Sequence, residues 1–142
     1  MKAKSSGSKK ELIVDETLDA LHQESREWLN TIAFWQDESK FFTDLLDKEQ
    51  INTSKYGQML QYLDKIHETL FDYLAENIVA HEKELSRLIS GDKGVSDQDY
   101  RKKHATLKEQ MDLFTNDFKE FKKMVFGYAK KLWLYLLRMY SS

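Results

Sequence analysis

The chain has 142 residues, a formal net charge of −2, 32% charged and 41% hydrophobic residues, and neither proline nor cysteine. The lack of cysteine excludes disulfides, thiolate zinc sites and cysteine nucleophiles, and no apolar run approaches the roughly 18–20 residues that span a bilayer. One domain fits this length, and nothing forces a kink or stop in a long helix.

Residues 1–10 carry four lysines among Ser and Gly and read as a flexible basic tail. They lead into Glu11 and Asp15 and not into an apolar h-region, so a cytoplasmic protein without a secretory signal is expected. Ser8 with Glu11 offers a capping box for a first helix over about 11–50. Its apolar seam reads Val14, Leu18, Leu21, Ser25, Trp28, Ile32, Trp35, Ser39, Phe42 and Leu46, in steps of four and three. A strand would alternate every second residue, so this spacing is helical and of coiled-coil type.

Ile51-Asn52-Thr53-Ser54 interrupts the pattern and offers Thr53 or Ser54 as the N-cap of a second helix over about 54–90. Its seam reads Tyr56, Leu60, Leu63, His67, Leu70, Leu74, Asn77, His81 and Leu88. A flanking row of Met59, Ile66, Tyr73 and Ala80 widens the stripe toward two neighbours. Gly91-Asp92-Lys93-Gly94 ends this helix, and Ser96 with Asp99 opens a third over about 96–140. The third carries the longest unbroken seam: Tyr100, His104, Leu107, Met111, Phe114, Phe118, Phe121, Val125, Tyr128, Leu132, Tyr135 and Met139. At about 1.5 Å per residue that stripe runs roughly 60 Å and needs other helices to cover it.

The expectation is therefore one all-α domain over 11–142, with three long antiparallel helices in an up-down-up, coiled-coil-like bundle. Residues 11–50 hold eleven acids and three bases, whereas residues 96–142 hold six acids and ten bases. With the first and third helices parallel, Asp15, Glu24 and Glu38 flank Arg101, Lys108 and Lys122, pairs that select register more than they stabilise. In general architecture this resembles a spectrin-type three-helix repeat, although no motif assigns a family.

Few residues invite chemistry. Folding the chain at its two loops brings His22, His81 and His104, one per helix, within about one turn of each other. Two readings follow: a zinc or iron site, or a polar layer that fixes register. Neither a Glu-x-x-His pair nor an H-E-x-x-H motif accompanies them. His67 is expected to bond Glu38 beside Ser39. Gly-rich phosphate loops and G-x-S-x-G elbows are absent, so no enzyme and no cofactor are expected. Lysines 119, 122, 123, 130 and 131 lie near aromatic residues, but the acidic first helix and the overall charge argue against nucleic acid.

The remaining signal is the end of the third helix. Trp133, Leu134, Leu136 and Leu137 lie off the seam, and residues after about Tyr135 are expected to overhang the first loop. Together with Tyr140 they form the expected interaction surface of a non-catalytic scaffold protein, contacting a protein partner or a second copy as a homodimer. Peripheral membrane contact ranks second, because Lys130, Lys131 and Arg138 frame Trp133 and Tyr140. The plainer alternative is that Ile51 and the loop fold over this surface and bury it.

Overall fold

The computed structural model describes residues 16–141, in which all regular structure is helical: α1 (Leu18–Leu46), α2 (Glu49–Asn52), α3 (Lys55–Ile89) and α4 (Asp97–Ser141). The protein is an all-α helical bundle. Among the described residues no helix is long and apolar enough to cross a membrane. The expected Ser8–Glu11 capping box and the seam position Val14 lie outside the described residues.

Each long helix starts on a hydroxyl. Thr17 Oγ1 accepts from the Ala20 amide, Ser54 Oγ from Gly57 and Ser96 Oγ from Asp99, at 2.9–3.2 Å. Each bond satisfies one amide that the first helical turn leaves without a partner. α3 ends at Gly91, whose φ of +86° is the left-handed conformation glycine adopts at least cost. Its amide donates to Leu88 O and that of Asp92 to Arg87 O, which closes the helix in a Schellman motif.

The first helix is shorter than its pattern, ending at Leu46 and not near residue 50. Lys48 takes extended backbone angles before the single turn of α2. The carbonyls freed by the break are used: Gln61 Nε2 donates to Leu46 O and Asn52 Nδ2 to Asp47 O. The turn carries Ile51 inward, where it is 4% exposed. Gly57 makes room for it, since a Cβ at that position would stand 1.9 Å from Ile51 O. No breaker residue marks this change of direction, so spacing alone could not reveal it.

Packing divides the described residues into two compact units, one of residues 16–32 with Tyr73–Leu113 and one of Ala33–Asp72 with residues 114–141. In the first, Leu21, Leu85, Tyr100 and Ala105 form a core cluster against which Leu18 and Leu88 pack. Arg101 donates to Glu16 O and to Asp97, while Lys108 pairs with Glu24 at 3.0 Å, so α1 and α4 run the same way here. In the second unit, Trp35, Phe42, Phe71, Phe118 and Phe121 interlock edge-to-face and tilted, with centroids 5.0–6.0 Å apart. Lys122 pairs with Glu38 at 3.2 Å. Two of the three expected acid–base pairs are thus present, and Asp15, of the third, lies outside the described residues.

α3 corrects one expectation. Met59, Ile66 and Tyr73 are exposed, and the buried row lies on the other flank, at Asp64, Phe71, Ile78 and Leu85. Leu63, Leu70 and Asn77 are only half-buried. That row holds an acidic residue, Asp64, and Ser39 Oγ and Thr43 Oγ1 donate to its carboxylate at 3.1 and 2.6 Å. A buried carboxylate so bonded no longer carries its full desolvation cost, and the row that begins with it turns inward. The small polar seam position Ser39 exists for that bond.

Candidate functional site

The histidine layer belongs to the first unit. His81 and His104 are both wholly enclosed. Their rings meet at Nε2 and Nδ1, 3.0 Å apart, and His104 Nε2 stands 2.8 Å from Glu24 Oε1. The second carboxylate oxygen of Glu24 takes the Lys108 ammonium at 3.0 Å. Trp28 stacks on His104 at 4.6 Å, and Tyr100 stacks nearly parallel on His81 at 4.1 Å. Sequence spacing places Trp28 and Tyr100 on seams, but that each caps an imidazole is a tertiary fact.

The partners dictate the tautomers. An ionised Glu24 accepts, so His104 Nε2 carries hydrogen and its Nδ1 accepts in turn from His81 Nε2–H. His81 Nδ1 is then a buried lone pair, and it has no hydrogen-bond partner. Burial pushes the His81 imidazolium down to about 3, and the charges of His104 and Lys103 act in the same direction. His104 is also lowered by burial, against the opposing pull of Glu24. Burial alone would raise the Glu24 carboxyl, yet the bonds from His104 and Lys108 outweigh it and bring Glu24 below its ordinary value. Burial raises the Tyr100 phenol, with the charge of Glu82 adding to the effect.

His22 does not join this chain. Its Nδ1 pairs with Glu82 at 2.6 Å on a partly exposed face, beside an open groove lined by Leu18, Asp19 and Ser86. The three histidines therefore share one unit but not one centre, and among the described residues no three His, Asp or Glu side chains are grouped so as to hold a metal ion. Chemically, the His81–His104–Glu24 chain holds one protonation pattern and locks the neighbouring rings, and no solute reaches either imidazole. His67, in the second unit, lies against Phe71, Phe118 and Phe121 at 4.9–6.0 Å. The expected bond to Glu38 is not formed, because Glu38 is taken by Lys122.

The second candidate is the end of α4. Tyr128 Oη meets Ser54 Oγ at 2.5 Å, and its ring packs on Tyr56 at 5.0 Å. Past this point none of residues 129–140 is buried. The seam positions Tyr135 and Met139 are 57% and 55% exposed, although the same register closes over Phe118, Phe121 and Val125 further back. Neighbouring helices have therefore run out by then, nearer than the expected Tyr135. The stretch from residue 129 to Ser141 extends about 20 Å at 1.5 Å per residue. Trp133, Leu134, Leu137 and Tyr140 are exposed and Leu136 is half-buried. Ile51 does not fold over them; it is buried beside Gly57. Compared with protein-family models, curated proteins and solved structures, this chain matches none.

Proposed function

We propose that this protein is a non-catalytic helical interaction protein that docks through the terminal stretch of α4. The observation that carries the reading is Trp133, 61% exposed amid leucines and tyrosines that the other described residues leave largely uncovered. Leaving such a side chain in water forgoes roughly 1.5–3 kcal/mol that a docked body recovers. The second unit, from which the stretch extends, serves as its mount, and the enclosed histidine layer of the first unit supports a structural role, because no substrate reaches it. An experiment that does not presuppose the docked body compares the full chain with a Trp133→Glu/Leu137→Glu variant in a lysate. The unaltered chain should elute or sediment as a species larger than 16.9 kDa, and the variant as the bare chain. Identical behaviour of the two would overturn the reading.

A further inference from the structure

We infer that the body this stretch docks on is an anionic lipid surface. The inference rests on the docking reading above and names its occupant. Residues 121–142 contain five bases and no acid, whereas residues 1–120 contain 17 bases and 24 acids. Among the described residues, an acid-free basic segment thus coincides with the exposed apolar helix. At roughly 100° per residue, Leu132, Trp133, Leu136, Leu137, Met139 and Tyr140 share one arc. Lys130, Lys131 and Arg138 share the opposite arc, interrupted only by Leu134. An apolar face rich in Trp and Leu, opposed by a basic polar face, lies in the plane of a headgroup layer, with the bases at phosphate level.

Two features separate this occupant from a second copy. A second copy offers no acid in the corresponding stretch, so an apolar-to-apolar pair would bring no counter-charge to Lys130 and Lys131. Anionic headgroups supply that charge on the side where the bases lie. At the root of the same stretch lies a surface groove lined by Lys123, Met124, Gly127, Lys131 and the Tyr56–Tyr128 pair. A Cβ at Gly127 would meet nothing within 4 Å, so the groove is open at that position. It is a recess with two lysines in its lining, Lys123 also pairing with Glu120 at 3.5 Å, and it suits a phosphate-bearing headgroup.

The test is flotation of the full chain with vesicles of phosphatidylcholine alone or with about one third phosphatidylserine. Binding is expected on the anionic vesicles only, with a blue shift of tryptophan emission that is absent in Trp133→Phe. Raising the salt should weaken binding, because screening shortens the reach of the bases. Lys130→Glu/Lys131→Glu should lower the partition at least about tenfold, and Trp133→Glu/Leu137→Glu should abolish it. Both double variants lie beyond the buried core, and unchanged helicity and melting would show that the bundle is intact. No flotation on anionic vesicles at low salt overturns the inference, as does equal binding to both vesicle types. A purified chain of twice 16.9 kDa in light scattering, dissociated by Trp133→Glu/Leu137→Glu, assigns the surface to a second copy and overturns it too. Retention by DNA that needs the lysines but not Trp133 assigns the bases to nucleic acid, with the same consequence. If the lysate comparison still separates the chain from its variant while flotation fails, docking stands and only the lipid is wrong.

Discussion

His81 and His104 face each other nitrogen to nitrogen at 3.0 Å, both wholly enclosed, and with both rings neutral one arrangement of hydrogens satisfies that contact together with the Glu24 bond. A proton added to His81 Nδ1 would point at no acceptor. The neutral pair is therefore part of the folded state.

Stability should consequently fall with acid in a defined window. The folded protein keeps His81 neutral down to about pH 3, whereas the unfolded chain protonates it near 6.5. Between these values the unfolded chain binds the additional proton, so this contribution is present above about 6.5 and is lost as pH falls. His81 alone should remove about 2 kcal/mol between pH 7.5 and pH 5. His104 and His67 are also lowered by burial and act in the same sense. The depressed Glu24 carboxyl extends the loss below its ordinary value of 4.5. Urea midpoints at the two pH values measure this, and His81→Gln should flatten the difference. Equal midpoints in the unaltered protein would refute the tautomer assignment.

Gly57 and Gly127 should respond to alanine with opposite signs. Alanine favours a helix by about 1 kcal/mol over glycine. At Gly127 nothing lies within 4 Å of the new methyl, so Gly127→Ala should stabilise by about 0.5–1 kcal/mol. At Gly57 the methyl would meet Ile51 O at 1.9 Å, and a backbone atom cannot swing aside like a side-chain tip. Gly57→Ala should cost about 1–3 kcal/mol despite the better propensity. Thermal melts of the two variants decide it; stabilisation at both positions would mean that α2 does not close on α3 as described.

Phe118 is 1% exposed and packs against Trp35, Phe42, Phe71 and His67. Truncation to alanine removes a contact from each and leaves a cavity they cannot all collapse into, so Phe118→Ala should cost about 3–5 kcal/mol. A loss below about 1 kcal/mol in denaturant melts would mean that the ring cluster is not the centre of this unit.

Zinc or ferrous iron should leave the melting temperature unchanged, and a chelator should not lower it. An ion bound only to the folded state must stabilise it in proportion to occupancy. Here His22 is engaged by Glu82, and the His81–His104 pair is closed by Glu24 and Lys108. Stoichiometric metal that survives dialysis and is lost in a His81→Ala/His104→Ala variant would reinstate the three histidines as ligands.

Sequence alone determined what depends on period and charge along one helix. The α4 seam from Tyr100 to Val125, apart from the half-buried Phe114, and the α1 seam from Leu21 to Leu46 are the stripes that the structure buries, down to the small positions Ser25 and Ser39. The Glu24–Lys108 and Glu38–Lys122 pairs followed from the opposite charges of the first and third helices at one register. Tertiary structure alone decided matters that need a partner distant in the chain. Asp64 enters the core because Ser39 and Thr43 bond it, α1 stops at Leu46 because Ile51 fits against Gly57, and His67 loses Glu38 to Lys122. Spacing brings His81 and His104 to one level, but the nitrogens that meet are chosen by ring rotation against Tyr100 and Trp28. Hydropathy records which side chains prefer to leave water; whether a polar group can follow them depends on donors and acceptors that arrive only when the helices pack.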